Sequence, residues 1–304
     1  MTSARCFVLC AGLGSRLRPL TDETPKPLLW VYDRPQVEHV FAHLRAAGFT
    51  SCVINTHHLA ARFSADWLAR QPLAVEVAHE PELLGTGGAL VNAAHALGAG
   101  EVLLWNADML GAPDLGQLLT AHRAKTVSAT LLTSGRLSAG QGTIGVGADG
   151  AVVRLRSYRS SQPELFGSDY VGIAVLSERL RARLVAPGCL VADGLMPALL
   201  EGEKVQTLQS DASFIDIGSP QALLEANLGW LERAGAQAAY AGCKVDASAR
   251  VAEGAQLEAT VVAEQTVIGR ARLRRCLVLP GARVEDGVEL ERAIVWSGGV
   301  ISLG

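Results

Sequence analysis

The N-terminal residues of the chain have types and spacings that suit the binding of phosphate groups. An apolar run leads into a glycine loop, and two isolated cations follow it; the residues that could contact a ligand are Ala11, Gly12, Gly14, Arg16 and Lys26. Glycines let the backbone approach a ligand closely and direct its N–H groups at phosphates. Arginine offers a planar set of donors, and lysine a compact positive charge, to the same anions. This segment therefore predicts a phosphate-binding loop that follows a buried strand.

Two familiar phosphate-binding loops do not fit the details of this segment. A Rossmann dinucleotide loop needs a third glycine where the chain has Leu17, and a helix where the chain is rich in proline. A Walker P-loop needs a Gly-Lys-Ser/Thr sequence, which does not occur. Pro25 and Pro27 stiffen the backbone beside Lys26, so that binding an anion costs little conformational entropy. Arg18 is either a solvated surface charge or a ligand contact, and both interpretations stay open.

A sheet is expected to position the N-terminal glycine loop. Residues 1–230 alternate between apolar runs, which predict buried strands, and helical patterns. Strands are predicted at 6–11, 51–55, 74–78, 102–106, 127–133, 144–146, 152–156, 170–176 and 214–217. Helices are predicted at 36–47, 59–70, 87–97, 114–123 and 220–233, the last with Ser219 as its N-cap. The expected fold class is α/β, with a Rossmann-like mixed, mostly parallel sheet and helices on both faces.

The apolar pattern changes to a period of six from residue 244 onward. The residues that mark this period are Val245, Val251, Leu257, Val267, Leu273, Leu279, Val284, Leu290 and Trp296. Such a period is typical of a parallel β-helix, in which each hexapeptide forms one side of a coil. We therefore predict an α/β domain over 1–233, a linker over 234–243 and a short β-helix over 244–304. A β-helix of this length suits oligomerisation or capping better than catalysis.

The composition argues against several classes of protein. The net charge is −3 and no run of lysine or arginine occurs, whereas nucleic-acid binding needs a basic face. The six cysteines are scattered without a Cys-x-x-Cys pair, which argues against a disulfide framework or a zinc site. The N-terminal apolar run is broken by glycine and followed by arginines, unlike a signal peptide or a membrane span. We expect a cytoplasmic protein with no nucleic-acid or membrane partner.

The N-terminal segment resembles the opening of the sugar-1-phosphate nucleotidyltransferases. That family begins with Ala-Gly-x-Gly-x-Arg-Leu-x-Pro-Leu-Thr and then Pro-Lys-Pro, which here are residues 11–21 and 25–27. Cys10 stands where alanine is common in the family. The resemblance implies that Arg16 binds the leaving pyrophosphate, that Lys26 binds the α-phosphate, and that the tail is a left-handed hexapeptide-repeat β-helix. It also implies nucleotide-binding positions at Ala11, Gly12 and Gly14.

Three later motifs extend the resemblance over the rest of the chain. Gly85 and Thr86 belong to a loop that holds the base and ribose in the family, where glycine permits close contact with a flat base. Asp108 is identified with a catalytic carboxylate that binds Mg²⁺, and Asp216 with a second metal ligand. A Mg²⁺ site of this kind has few protein oxygens and leaves positions for substrate phosphates. The alternative for Asp216 is a turn former, because Ser219 already begins a helix nearby.

The sugar-binding motifs match less completely. The glycines that correspond to the family's sugar pocket are Gly145 and Gly172. The family's Glu-Lys pair, which binds sugar hydroxyls and the sugar phosphate, is replaced by Ser157 and Tyr158. Some uridylyltransferases that act on N-acetylmuramate 1-phosphate also lack this pair. We hypothesise that Arg156 or Arg159 supplies the missing cation; the alternative is that both are exposed arginines on an edge strand.

The resemblance implies a Mg²⁺-dependent enzyme that joins a nucleoside triphosphate and a sugar 1-phosphate into an NDP-sugar and releases pyrophosphate. A nucleotidyltransferase domain with a short β-helix is most similar to the mannose-1-phosphate guanylyltransferases. The second glycine loop and the missing Glu-Lys pair favour instead a uridylyltransferase for an amino-sugar or N-acetylmuramate 1-phosphate. A third interpretation is a non-catalytic homologue that binds a nucleotide-sugar and regulates a partner. The tail implies a homo-oligomer of undetermined size.

Overall fold

The computed structural model describes residues 4–234 and 242–304, which divide into two compact units. The first unit comprises the residues up to Gly12 together with Val40–Phe214. The second comprises Leu13–His39 together with Ile215–Gly304. Each unit therefore combines segments that are distant in sequence. The predicted linker at 234–243 lies largely outside the described residues, and the predicted domain boundaries stay a prediction.

The secondary structure of the first two thirds of the chain consists of short strands with helices between them. The strands are β1 (Arg5–Leu9), β2 (Trp30–Val31), β3 (Arg34–Pro35), β4 (Ser51–Thr56), β5 (Ala74–His79), β6 (Val102–Asn106), β7 (Met109–Leu110), β8 (Ala129–Leu137), β9 (Ile144–Val146), β10 (Val152–Leu155), β11 (Tyr158–Arg159), β12 (Phe166–Leu176) and β13 (Val205–Gln209). The α-helices of the described chain are α1 (Leu20–Glu23), α2 (Gln36–Ala46), α3 (Ala65–Ala69), α4 (Gly85–Asn92), α5 (Ala94–Leu97), α6 (Leu115–Arg123), α7 (Glu178–Arg181), α8 (Met196–Leu200) and α9 (Pro220–Ala234).

The first unit is built on a mixed sheet whose parallel part runs β5-β4-β1-β6. Strand β12 then pairs antiparallel with β6, β8 and β9, and β13 pairs parallel with β8. Strands β1, β4 and β6 form where the sequence has continuous apolar runs, because strands covered on both faces need no polar alternation. Phe7 and Leu104, which pair across β1 and β6, are buried in one core with Leu90 and Leu97 of α4 and α5. The predicted α/β class with a mixed sheet is confirmed.

Most of the predicted elements occur, and the deviations have local causes. The helix predicted at 59–70 is two pieces, a 3₁₀ turn at Ala60–Arg62 and then α3, whose N-cap Ser64 accepts a hydrogen bond from Trp67 N at 3.2 Å. The helix predicted at 87–97 is divided between α4 and α5. The predicted cap of α9 is confirmed, since Ser219 Oγ accepts from Ala222 N at 3.2 Å. Strand β13 was not predicted.

The second unit contains short strands, most of which pair with a strand that lies 16 or 17 positions further along the chain. They are β14 (Ile215–Asp216), β15 (Lys244–Val245), β16 (Arg250–Val251), β17 (Gln256–Glu258), β18 (Val261–Val262), β19 (Val267–Ile268), β20 (Arg272–Arg274), β21 (Leu277–Val278), β22 (Arg283–Val284), β23 (Glu289–Glu291), β24 (Ala293–Trp296) and β25 (Gly299–Ser302). From β15 onward they form three parallel ladders, β15-β18-β21-β24, β16-β19-β22 and β17-β20-β23. Strand β25 turns back antiparallel on β24.

The ladders have a regular spacing along the chain and an apolar interior. Partners lie 16 or 17 positions apart, as in Val261 with Leu277 and Lys244 with Val261. Buried residues such as Leu273 and Val284 face one core with Val262 and Val295. Most residues with the sixfold period therefore lie in these parallel strands, but Leu279 follows the end of β21 and Trp296 is paired with Gly299 of the antiparallel β25. The left-handed hexapeptide coil stays a prediction.

The N-terminal part of the second unit is tied to α9 by one buried amide. Asn227, which lies in α9, accepts a hydrogen bond from Tyr32 N at 2.7 Å. Its Nδ2 donates to Trp30 O at 3.2 Å and to Leu223 O at 2.8 Å. A buried amide stays buried only when its donors and acceptors are paired, and the bonds of this side chain join Trp30 and Tyr32 to α9 within the second unit. Across the described chain, no helix is both long enough and apolar enough to cross a membrane.

Candidate functional site

The first glycine loop is shaped by contacts of Gly14 in the second unit. Gly14 has φ +60°, and its carbonyl accepts a hydrogen bond from Thr21 Oγ1 at 2.9 Å. A Cβ at Gly14 would lie 2.8 Å from Thr21 Cγ2 and 3.3 Å from Lys26 Cβ. Glycine is therefore required for two reasons, its left-handed backbone and the close approach of both side chains. The structure brings Lys26 against the loop, as the sequence predicts.

Arg16 packs against the motif that contains Asp216. A Cβ at Gly218 would lie 3.0 Å from Arg16 Nη2, so the guanidinium covers the backbone two residues beyond Asp216. Arg16 and Asp216 are both exposed side chains. Arg18, by contrast, forms an exposed ion pair with Asp22 at 3.0 Å, which accounts for it as a surface charge. The second unit therefore collects Arg16, Lys26 and the Asp216 motif around one loop.

In the first unit, strand β1 ends beside Asp108. The N–H of Ala107 donates to Leu9 O at 3.1 Å, which sets the following residue next to the end of β1. Burial raises the pKa of the Cys10 thiol well above its ordinary value, and the nearby Cys52 thiol and Asp108 carboxylate raise that pKa further. Asp108 therefore lies close to the start of the glycine loop, where the sequence predicts it.

The backbone N–H groups at the end of β1 are used within the chain. Asn55 Oδ1 accepts from Cys10 N at 2.7 Å and from Ala11 N at 3.2 Å. The predicted role of Ala11 in nucleotide binding therefore does not involve its N–H in this arrangement. Gly12 is different, because no described atom lies within 4 Å of the position that a Cβ would occupy there. The open space of the loop begins at Gly12.

The second glycine loop packs on another part of the same chain. Gly85 has φ +73°, and a Cβ there would lie 2.5 Å from Gly188 O. That carbonyl accepts from Gly87 N at 2.9 Å and from Gly88 N at 3.1 Å. Thr86 Oγ1 accepts from Leu190 N at 3.0 Å. The glycines were explained from the sequence by close contact with a base; in the structure their requirement comes from the backbone at Gly188, and base contact stays a prediction.

Two buried polar residues that sequence reasoning missed connect these loops. Asn55 Nδ2 donates to Glu80 Oε1 at 2.7 Å, and Glu80 Oε2 accepts from Leu84 N at 3.1 Å. Asn55 is 2% exposed and Glu80 1% exposed. His57 Nδ1 also contacts Glu80 O at 2.9 Å. The available signal was an asparagine at the end of an apolar strand and a glutamate that opens the second motif.

The two glycines assigned to the sugar pocket also have packing requirements. A Cβ at Gly172 would lie 2.8 Å from Asn106 Nδ2, and Gly172 has φ +72°. A Cβ at Gly145 would lie 2.5 Å from Glu164 Oε2 and 2.6 Å from Arg154 Cβ. Gly145 thus makes room for the ion pair of buried Arg154 with half-buried Glu164, and Gly172 makes room for the residue that precedes Ala107 and Asp108. Contact of either glycine with a sugar stays a prediction.

Arg156, one of the two arginines near the missing Glu-Lys pair, lies near the segment that packs on the second glycine loop. Burial alone would raise the pKa of the Cys189 thiol, but the N–H groups of Ala192 and Val191 and the Arg156 guanidinium lower it overall. Arg156 therefore lies beside Cys189, which directly follows Gly188. Arg159 instead folds back on its own turn and donates to Tyr158 O at 2.7 Å.

The comparisons with known proteins match the motifs at the start of the chain. A family model described as "Nucleotidyl transferase" matches residues 6–157. The chain belongs to the nucleotidyl transferase family. This membership confirms the nucleotidyltransferase part of the resemblance, and the matched stretch contains Arg16, Lys26, Asp108 and both glycine loops.

Named relatives of this nucleotidyl transferase carry two different activities. Mannose-1-phosphate guanylyltransferase of Mycobacterium tuberculosis is 36% identical over 126 residues, which span 41% of this chain and 35% of that protein. N-acetylmuramate alpha-1-phosphate uridylyltransferase of Caulobacter vibrioides is 29% identical over 236 residues, which span 72% of this chain and 94% of that protein. The crystal structure of HddC from Yersinia pseudotuberculosis complexed with GMP-PN shares the fold, with a TM-score of 0.61, 20% identity, and coverage of 75% of this chain and 99% of that chain.

The described residues contain no large cluster of side chains that commonly bind metals. No group of three or more His, Cys, Asp and Glu side chains within residues 4–234 and 242–304 could hold a metal ion. The predicted Mg²⁺ site does not need one, because Mg²⁺ keeps several waters and is bound by one or two carboxylates plus substrate phosphates. Asp108 is half-buried in the first unit and Asp216 is exposed in the second, and the binding of Mg²⁺ by either carboxylate stays a prediction.

The different surroundings of Gly12 and Gly85 predict different costs of adding a methyl group. We expect Gly85→Ala to lower the free energy of unfolding by about 1–3 kcal/mol, because it strains a left-handed backbone and meets Gly188 O. Gly12→Ala should change it by about 0.5 kcal/mol or less. Urea unfolding of both variants measures this, and equal costs would contradict the assignment of Gly85 to packing.

The ion pair beside Gly145 predicts a pH-dependent stability. Arg154 Nε lies 2.9 Å from Glu164 Oε2, and this bond, together with Gly140 N at 2.7 Å from Oε1, lowers the pKa of Glu164. A depressed pKa stabilises the fold above the unfolded value of about 4.3, and that contribution is lost as the pH falls through the folded pKa. We expect Glu164→Gln to lower the free energy of unfolding by about 1–3 kcal/mol at pH 7. Below pH 5, the stability of this variant should depend less on pH than that of the wild type.

Denaturant unfolding at a series of pH values tests the effect of Glu164. Asp22→Asn is the matched control, because it removes a carboxylate from the exposed pair with Arg18 and should cost about 1 kcal/mol or less. A Glu164→Gln protein whose stability falls with acid as steeply as that of the wild type would contradict the prediction.

Proposed function

We propose that this chain is a sugar-1-phosphate nucleotidyltransferase, which joins a nucleoside triphosphate and a sugar 1-phosphate into an NDP-sugar and releases pyrophosphate. The observation that carries the proposal is the packing of Lys26 against Gly14 in the first glycine loop. Both residues lie within the stretch matched by the family model. The activities of the named relatives support the reaction class. The matched stretch spans only 35% of the Mycobacterium relative, so the complete activity of that protein is part of the proposal.

The reaction has one electrostatic obstacle. A phosphate oxygen of the sugar 1-phosphate attacks the α-phosphorus and forms a new P–O bond, while the bond from that phosphorus to pyrophosphate breaks. Two unit charges of like sign at ~4 Å repel by about 1 kcal/mol in water and by about 4 kcal/mol at an effective dielectric constant of 20, and these reactants carry several charges each. Catalysis therefore consists mainly of positioning and charge neutralisation, and no covalent enzyme intermediate is needed.

The residues of the first loop supply the protein's share of that neutralisation. Lys26 is half-buried between two buried prolines, its Cβ lies beside Gly14, and its ammonium is assigned to the α-phosphate. Arg16 is exposed and covers the backbone at Gly218, which leaves its planar donors available for the departing pyrophosphate. Gly12, with open space around its Cα, is assigned to close contact with the nucleotide.

Asp108 and Asp216 are assigned to Mg²⁺. Carboxylate oxygens are the ligands that this ion prefers, and neither side chain is fully buried. When bound, the ion neutralises phosphate charge and orients the triphosphate. Asp108 additionally adjoins the end of β1, so it can hold an ion beside the start of the loop.

The C-terminal ladders are assigned to assembly of the protein. The sixfold apolar period and the pairing of strands 16 or 17 positions apart support a left-handed β-helix of hexapeptide repeats. Such a stack is assigned to contacts between copies of this chain, and hence to a homo-oligomer. The proposed enzyme is cytoplasmic.

Two pairs of substrates have specific support. GTP and mannose 1-phosphate are favoured by the N-terminal identity of 36% to the guanylyltransferase. UTP and N-acetylmuramate 1-phosphate are favoured by the longer match, over 72% of this chain, and by the missing Glu-Lys pair. For either sugar, Arg156 is assigned to the sugar phosphate in place of the family lysine, with Gly145 and Gly172 beside the sugar.

The assigned roles predict that Lys26→Ala and Asp108→Asn lose activity without losing the fold. Each removes a charge that stabilises the transition state, so kcat/KM should fall by about a hundredfold or more. Pyrophosphate release with Mg²⁺ measures activity, and thermal unfolding checks that both variants are folded.

Arg18→Ala is the matched control for these variants. It also removes a cation from the loop region, but that cation belongs to an exposed pair with Asp22 and should leave activity near the wild-type value. Near-native turnover by Lys26→Ala or Asp108→Asn would show that the roles are assigned wrongly.

A panel of nucleotides should identify the base. A ligand that binds the folded state stabilises it by about 2.7 kcal/mol at a hundred times its Kd. We expect either GTP or UTP, with Mg²⁺, to raise Tm clearly more than ATP or CTP, and the same nucleotide to support pyrophosphate release with its matching sugar phosphate. If nucleotides bind but no tested sugar phosphate supports release, the non-catalytic interpretation is preferred.

A further inference from the structure

We propose that Asn55 and Glu80 form a buried positioning pair that fixes the first glycine loop and the second loop relative to each other, and thereby sets the affinity for the nucleoside triphosphate. Neither residue is assigned to substrate, so both act through the backbone groups that they hold. The proposal rests on the proposed function in so far as it takes both loops to contact the nucleotide.

The hydrogen bonds of the pair form an unbroken connection between the loops. On one side, Asn55 Oδ1 accepts from Cys10 N at 2.7 Å and from Ala11 N at 3.2 Å, directly before Gly12. In the middle, Asn55 Nδ2 donates to Glu80 Oε1 at 2.7 Å. On the other side, Glu80 Oε2 accepts from Leu84 N at 3.1 Å, directly before α4 and Gly85. Three strand ends and two loops therefore meet at two side chains.

The burial of the pair makes these bonds obligatory. Asn55 is 2% exposed and Glu80 is 1% exposed, so solvent does not replace a lost partner. A buried donor or acceptor without a partner costs far more than an exposed one, and a buried charge costs most. The backbone groups that the pair contacts in the two loops are all N–H donors, so each side chain must offer them an oxygen acceptor. Between the two side chains, one must then donate a hydrogen and the other accept it.

When each carboxyl group is present as a carboxylate, this requirement allows only two isosteric combinations. Asparagine with glutamate, as in the wild type, places the proton on residue 55. Aspartate with glutamine places it on residue 80, since an aspartate at 55 still accepts from Cys10 N and Ala11 N and the glutamine amide donates to it. The other two combinations fail, because Asn55→Asp opposes two carboxylates and Glu80→Gln leaves two donors facing each other.

The experiment compares Asn55→Asp, Glu80→Gln and the double variant, using GTP or UTP, whichever the wild type turns over. We expect each single variant to raise KM for that nucleotide by roughly ten- to a hundredfold, the range that an unpaired buried group produces. The double variant should return to within about threefold of the wild type. KM for the sugar 1-phosphate should change by less than about threefold in all three, which a general loss of stability would not produce.

Gln206→Glu is the control for damage to the core. Gln206 is buried in β13, and its Nε2 donates to Ala121 O at 2.8 Å and to Thr130 Oγ1 at 3.0 Å. Its replacement should lower Tm as the single variants do, with an unchanged KM for the nucleotide. If the single variants do not fold, the double variant alone decides, because a positioning pair predicts that it folds and binds normally.

Three results would overturn the positioning role: a double variant that does not regain the nucleotide KM, single variants that resemble Gln206→Glu, or parallel changes in both KM values. Failure of the proposed function looks different, because then the wild type itself releases no pyrophosphate with any sugar phosphate. In that case the same variants are compared by direct binding of GTP and UTP with Mg²⁺. A wild type that binds neither nucleotide overturns both proposals.

Discussion

The first unit depends on one constraint just beyond the end of β1, where the N–H groups of buried Cys10 and half-buried Ala11 need an acceptor. The oxygen of Asn55 meets both, and the rest of its amide is oriented by Glu80. This arrangement holds the two residues that follow the end of β1 at Leu9, and open space begins beside the next residue, Gly12. The first glycine loop therefore starts from a fixed point, although Leu13 and Ser15 within it are exposed.

The same type of residue meets different requirements in the two loops. Gly14 is needed because Thr21 and Lys26, a few residues away, pack against it. Gly85 is needed because Gly188 approaches it from a distant part of the chain. The position of both loops was predictable from the sequence, since glycine clusters interrupt apolar and helical patterns locally. The reason for Gly85 was not predictable, because no local pattern indicates which backbone will pack on it.

A similar division holds for the fold. Strands β1, β4 and β6 were predicted nearly to their ends because continuous apolar runs indicate strands buried on both faces. The C-terminal strands were predicted because their apolar period of six is a local pattern, and their partner strands lie only 16 or 17 positions away. The composition of the second unit was not predictable, because contacts such as the bonds of Asn227 to Tyr32 and Trp30 join segments far apart in the sequence.

These differences explain why the reaction class was easier to predict than the substrate. Phosphates are bound by backbone N–H groups, lysine and arginine, and these occur together within one short loop around Gly14 and Lys26. The groups near the second glycine loop, and near the Ser157 and Tyr158 that replace the family's Glu-Lys pair, come instead from separate segments. Arg156 lies beside Cys189, and Gly188 packs on Gly85. A base or sugar is distinguished by the shape that such segments make together. A preference for one base or sugar therefore leaves no local pattern in the sequence, whereas a glycine loop with nearby cations does.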